Sequence, residues 1–348
     1  MTSHKHLLVL PLLASLLAAC HSTAPGLADN AASPRHADAA ATSSTTAASA
    51  VHAGAGTTPA SVPPVPTAGA ADSTASARQA QPLLVEAFTP GPEAIFSVAS
   101  VMVQGKDEVM LIDAQFSAAD ARKLVDSIRA SGKTLSTIYI SHGDPDYYFG
   151  LPTLQDAFPQ ARIVATRQTV DHIRTTWDEK IKVWGPQLGR NAPSRLVLPE
   201  VLRGDTLTLE GQPLKIIGLD GPAPDRTVVW IPSIRTVVGG VPISGSEHVW
   251  MADTQTPESH RHWLGTLKQI ARLDPVVVIP GHFADGAPLD LRSVKFTADY
   301  IRAFDEETVR ARNAAELVAA MKRRYPGLPG EEGLEISAKV AKGEMAWP

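Results

Sequence analysis

Ile138-Tyr139-Ile140-Ser141-His142-Gly143-Asp144-Pro145-Asp146-Tyr147-Tyr148-Phe149-Gly150 is the stretch on which the reading of this chain turns. A β-rich apolar run ends at Ile140. His142, Asp144 and Asp146 follow at alternate positions before the next helical segment, so one short loop can aim all three at a common point. Crowded carboxylates raise each other's pKa, and a divalent cation removes that cost. The same Gly-Asp-Pro-Asp also suits an ordinary surface turn, because Gly, Pro and Asp each favour turns. Spacing alone leaves both readings open.

Outward from this loop, short β-branched runs alternate with helical ones. Upstream, residues 97–103 and 108–112 read as a hairpin about Gly105-Lys106-Asp107, and 118–131 as a helix with Ala121, Leu124, Val125 and Ile128 on one face. The strand at 136–140 delivers the loop. Downstream the pattern predicts a short helix at 151–158, a strand at 162–165 and a helix at 169–181. A second strand-rich block has runs at 206–209, 214–217, 227–231 and 236–238. Thr256-Pro257 supplies a cap and a first-turn proline for a helix to about Arg272, followed by a strand at 276–279 and helices at 289–311 and 314–324. Two successive halves, each a meander followed by α/β units, imply two sheets packed together with helices outside. No repeat of about 20–50 residues is present, which excludes solenoids and propellers.

The His142 stretch resembles the His-x-His-x-Asp-His signature of metallo-β-lactamase-fold hydrolases, where the motif follows a strand and precedes a glycine that starts a helix, as Gly150 does here. Other landmarks of that family stand in order: Val109-Met110-Leu111-Ile112-Asp113, Val228-Val229-Trp230-Ile231-Pro232 with Val237-Val238-Gly239-Gly240, and Val278-Ile279-Pro280-Gly281-His282. The resemblance runs from Leu84 to about Ala303. It implies an α/β fold, the αββα four-layer sandwich, with its site at the edge where strand ends from both sheets meet. Carried over residue by residue, it makes His142 the first metal histidine, Asp146 the metal aspartate and His282 the last metal histidine. Asp144 stands where the second histidine belongs, and Tyr147 where the third belongs. The histidine expected after Lys215-Ile216-Ile217-Gly218 is absent, with Asp220 the nearest ligand-capable residue, and the bridging aspartate is replaced by Gly240 or Val241.

The implied set, His142, Asp144, Asp146, Asp220 and His282, is expected to hold one divalent ion rather than two: zinc, manganese or iron. Its oxygen-rich donors shift preference away from zinc. Such an ion would lower the pKa of a bound water to make a nucleophile. Tyr147 is expected either to donate to the developing oxyanion or to be a buried tyrosine satisfied by backbone. His248, in Gly245-Ser246-Glu247-His248-Val249-Trp250-Met251-Ala252-Asp253, is the candidate substrate contact, an ordinary loop histidine being the alternative. His260 and His262 lie two apart on a helix and cannot chelate together. His172 is expected to face solvent. Trp177 and Trp184, flanking Lys180 and Lys182, read as packing or as a lid over the site.

Composition narrows the setting. Lys and Arg number 32 against 36 Asp and Glu among 348 residues, which argues against a nucleic-acid partner. The single cysteine closes no internal disulfide and builds no cysteine-cage zinc site. Lys5 followed by an apolar run at 7–19 reads as a secretory signal, too short for a permanent span, which needs about 20 apolar residues. Leu17-Ala18-Ala19-Cys20 resembles the lipobox of bacterial lipoproteins, so 1–19 is expected to be a signal peptide and Cys20 a lipidation site. His21 in place of aspartate points that resemblance to the outer membrane. Residues 20–82 form an Ala/Ser/Thr/Pro-rich tether with too little apolar surface to fold, roughly 40 Å end to end. A metallo-β-lactamase-like domain at 83–348 follows. The expected function is a membrane-anchored, metal-dependent hydrolase of a small ester, lactone, amide or related molecule, placed in the cell envelope and facing the periplasm. The alternative is a catalytically inactive ligand-binding lipoprotein of the same fold.

Overall fold

The computed structural model describes residues 81–91, 94–221 and 223–347. The signal peptide, Cys20 and nearly all of the tether lie outside the described residues. The first sheet contains β1 (Leu84–Phe88), β2 (Ser100–Gln104), β3 (Glu108–Ile112), β4 (Thr134–Ile140), β5 (Arg162–Ala165) and β6 (Glu200–Val201), in that spatial order. The β1–β2 and β2–β3 pairs are antiparallel, and β3 to β6 run parallel. Parallel neighbours need crossovers, and here these are α1 (Ala118–Ala130), α2 (Pro145–Tyr148) with α3 (Leu151–Ala157), and α4 (Arg167–Leu188).

The second sheet has the order β12-β10-β9-β8-β7, built from β7 (Thr206–Leu209), β8 (Gln212–Ile217), β9 (Val228–Ile231), β10 (Thr236–Val238) and β12 (Val277–Ile279). A small parallel pair joins β11 (Ser244–Gly245) to β13 (His282–Phe283). Helices α5 (Pro257–Arg272), α6 (Leu291–Arg310), α7 (Ala314–Arg324) and α8 (Glu331–Ala341) complete the chain. Among the described residues no helix is long and apolar enough to cross a membrane.

Strand periodicity assigns the layers. Successive side chains point to opposite faces, so Val109 and Leu111 of β3 join Leu124, Val125, Ile128 and Leu154 of the outer helices. Met110 and Ile112 meet Leu214, Ile216, Val229 and Val238 of the opposing sheet. The far face of the second sheet, Val228, Trp230 and Val237, packs on Trp263, Leu267, Ile301 and Phe304. Three apolar interfaces between four layers make the expected αββα sandwich. Leu111, fully buried, would cost about 2–5 kcal/mol if cut to alanine.

The expected helices form where predicted, with local reasons. Ser117 caps α1 through Asp120 N–H at 3.1 Å, and Thr256 caps α5 in a reciprocal box with Ser259. Helix α4 runs past the expected stop at Ile181 through Gly185 and Pro186. Trp184 carries it on, packing edge-on against Phe96 and Phe116. Strands β1, β6, β11 and β13 and helices α2 and α8 were not legible in the pattern; Asp146, expected in the loop, lies in α2.

Candidate active site

Strand β4 ends in a hydrogen-bonded anchor. Asp113, buried and held at φ 64°, accepts Ser141 N–H at 2.8 Å and Ser141 Oγ–H at 2.7 Å, which pins the loop that follows. Burial pushes the Asp113 carboxyl up to about 7 despite these bonds. From the other sheet, Thr227 donates both N–H (3.1 Å) and Oγ1–H (2.8 Å) to Ser141 O. Tyr139 OH therefore donates to Thr227 Oγ1, at 2.8 Å. This strap brings the 223–227 turn against the His142 loop.

His142 is buried, with Nδ1–H donating to Asp225 O and Nε2–H to Asp144 Oδ2, each at 3.0 Å. Both ring nitrogens face acceptors, the pattern of an imidazolium. Burial opposes that charge, but the Asp144 carboxylate outweighs it and holds the group up to about 9. Asp144 occupies the N-cap position of α2 yet caps nothing. Its other oxygen, Oδ1, accepts from Lys180 Nζ of α4 at 3.0 Å. Burial would raise its pKa; His142 and then Lys180 hold it well below the usual carboxylate range. His172, also on α4, donates Nδ1–H to Asp225 Oδ2 at 2.7 Å, and burial of Asp225 is outweighed so that its carboxyl sits down at about 2. A Cβ on Gly143 would lie 2.7 Å from the His172 ring, so this approach requires glycine there.

The second pair lies beside the first. His282, on β13, places Nε2 3.0 Å from Asp146 Oδ2. Burial would lower its pKa, but the Asp146 contact raises it. Tyr147 stands between the pairs, its ring edge-on to His142 at 5.2 Å and to His282 at 5.7 Å between centroids. Its hydroxyl is buried without a hydrogen-bond partner among the described residues, as is Nη2 of Arg226, whose guanidinium lies 4.8 Å over the Trp263 ring. Glu247 and Asp253 border the cluster, each raised by burial; Asp253 accepts from the indoles of Trp250 and Trp347.

The structure thus gathers His142, Asp144, Asp146, Tyr147 and His282 and leaves out two expected members. Asp220 is exposed in its turn, and the carboxylate reaching the cluster is that of Asp225, because the Thr227–Ser141 strap sets the register there. His248 turns into the helical layer, where Nδ1 and Tyr300 OH are 2.9 Å apart. His172 is partly exposed, as expected, and is also a partner of Asp225. Lys180, Asp225 and His172 were missed as site residues. The signal available for Lys180 was the spacing Trp177, Lys180, Trp184, which places it on the apolar face of its helix. Of the two readings of the tryptophans, packing is observed: Trp177 meets Phe149 at 5.5 Å.

Residues 95–282 match the family model described as metallo-beta-lactamase superfamily, and the chain belongs to that superfamily. A metallo-beta-lactamase family protein of Thermus thermophilus is similar in structure, with 17% identity, 75% of this chain and 93% of that one covered, and a TM-score of 0.53. The DIM-1 metallo-beta-lactamase gives 20% identity over 64% of this chain and 99% of its own, with a TM-score of 0.44. The Thermus likeness is one of fold. No curated protein matches the chain.

Members of this superfamily typically bind divalent metals such as zinc. The donors present here do not fit that group. Among the described residues, no three His, Cys, Asp or Glu side chains are grouped to hold an ion. The candidates divide instead into two pairs, and one of them already has a lysine ammonium on its carboxylate. A bridging carboxylate is shut out as well. Gly240 sits at φ 83°, and a Cβ there would come 1.9 Å from Thr227 O, while Val241 packs on the first core. The five-ligand cage expected from sequence fails at Asp220 and at Asp144.

Proposed function

We propose that the chain is a hydrolase of a small ester, lactone or amide, working through side chains of its own at the Asp146–His282 pair. The observation that carries this reading is the 3.0 Å contact between Asp146 Oδ2 and His282 Nε2, with an unpartnered buried phenol beside it. Asp146 orients the imidazole at Nε2. Nδ1 would take a proton from water as the water oxygen attacks the carbonyl carbon, and would return it to the leaving oxygen or nitrogen as that bond breaks. Tyr147 OH would donate to the oxyanion that forms between these events. No step passes through a metal.

The test is turnover of p-nitrophenyl acetate, p-nitrophenyl butyrate, dihydrocoumarin and p-nitroacetanilide by chelator-treated protein. Asp146→Ala is expected to lower kcat/KM about 10³-fold and the melting temperature by only a few degrees, the protein remaining folded. Absence of turnover on all four, or an Asp146→Ala variant as active as the parent, overturns the reading. A second reading, a ligand binder without catalysis, is favoured by the mutual pairing of Asp144 with His142 and Lys180 and of Asp225 with His172. Under it His282→Ala leaves ligand affinity unchanged. Attachment to the envelope through Cys20 belongs to the same proposal, and Cys20→Ser is expected to move the protein from the membrane to the soluble fraction of lysed cells.

A further inference from the structure

We infer that the ammonium of Lys180 is the resident cation of this site: it stands in for a metal ion at Asp144, and the protein takes up no zinc while that lysine is in place. The inference is independent of whether the Asp146–His282 pair hydrolyses anything.

Three observations carry it. The first is occupancy of the donors. Asp144 lies at the motif position where the fold family places a metal ligand, and both of its oxygens are taken, Oδ2 by His142 Nε2 and Oδ1 by Lys180 Nζ, each at 3.0 Å. An ion bridging His142 and Asp144 would have to share Asp144 with an ammonium. Two cations a few ångströms apart repel strongly in a partly desolvated site.

The second is burial of the lysine. Its side chain is only 15% exposed, and that of Asp144 18%. Lysine ammonium groups are almost never withdrawn from water without a paired anion. The third is that the lysine is built in rather than swung in. Trp177 and Trp184 lie one turn before and one turn after it on α4, and they are locked against Phe149 and against Phe96 and Phe116. Those contacts fix the register that delivers Lys180 to Asp144. A freely moving surface lysine could be displaced at little cost, whereas this one is held on a packed face. The charge balance an ion would bring to Asp144 is already supplied, and the steric closure at Gly240 keeps a bridging carboxylate out of that position.

The experiment compares wild type, Lys180→Met, Lys180→Arg and the double variant Lys180→Met/Asp144→Asn, all purified without a histidine tag, stripped with chelator and dialysed against micromolar free zinc. Bound zinc is read by elemental analysis and stability by thermal melting. Wild type and Lys180→Arg are expected to carry far less than one zinc per chain and to melt at the same temperature with or without it. Lys180→Met, which keeps the length and loses the charge, is expected to melt about 5 °C lower than wild type. The double variant, which also removes the carboxylate charge that the ammonium balances, is expected to melt closer to wild type than Lys180→Met does. Stoichiometric zinc in wild type or Lys180→Arg overturns the inference, and so does a Lys180→Met that melts with wild type. Should Lys180→Met fail to fold, the inference requires that the double variant fold, and failure of that recovery overturns it too.

Discussion

The two histidine–aspartate pairs are alike in chemistry and unlike in company. His142 and Asp144 are enclosed: one ring nitrogen is fixed by the Asp225 carbonyl, the other by Asp144, and Asp144 by Lys180. His282 and Asp146 touch each other, and beside them stands a phenol without a hydrogen-bond partner among the described residues. Enclosure makes the first pair structural, because every polar atom there is matched and removing one leaves a desolvated charge. Openness suits the second pair to chemistry, because a reacting group needs valences that the fold has not already filled.

Substitutions that separate stability from rate sharpen this contrast. The largest effect is expected at His282→Gln, a loss of about 10³-fold in kcat/KM; the amide keeps a donor for the buried Asp146, so stability changes by less than about 1 kcal/mol. His142→Ala is expected to do the reverse in kind, costing about 2 kcal/mol in denaturant unfolding as Asp144 loses one of its two cations. A smaller effect, about 1 kcal/mol, is expected for His172→Gln, and it is pH-dependent. Burial raises the Asp225 pKa, but the His172 hydrogen bond and nearby charges outweigh it and hold the group at about 2, against 3.8 ordinarily. A depressed acid stabilises the fold above its ordinary value and loses that contribution as pH falls through about 2. Removing His172 should flatten the fall in unfolding midpoint between those two values, measured by denaturant titration across acid pH.

The smallest change in stability is expected for Tyr147→Phe. Its hydroxyl has no partner to lose among the described residues, so stability should hold within about 0.5 kcal/mol or rise slightly. The rate, if the phenol meets the oxyanion, should fall about 10-fold or more. A Tyr147→Phe variant that unfolds more easily would place the phenol among the structural groups and erase the contrast between the pairs.

Most of the fold was legible because it rests on local periodicity. The continuous apolar run Val109-Met110-Leu111-Ile112 marks a strand buried on both faces, and the 3.6-residue spacing of Ala121, Leu124, Val125 and Ile128 marks a helix with one apolar face. Strands β11 and β13, two residues each, carry no period to read. At the site, His142, Asp146 and His282 stood in a recognisable order. Asp220 and Asp225 lie in one turn with the same side chain, and nothing local distinguishes them; only the hydrogen bonds from Thr227 to Ser141, across the two sheets, select Asp225.

The amino-acid sequence alone determined the layer plan, the loop that ends β4 and the chemical types of the groups near it, because strand and helix periods and motif order are properties of neighbours along the chain. Tertiary structure decided which charges meet. Lys180 and Asp144 belong to elements with no common pattern, and their pairing follows from the packing of Trp177 and Trp184 on Phe149, Phe96 and Phe116. Electrostatic partnership depends on distance through space, and that distance exists only once the helix is seated.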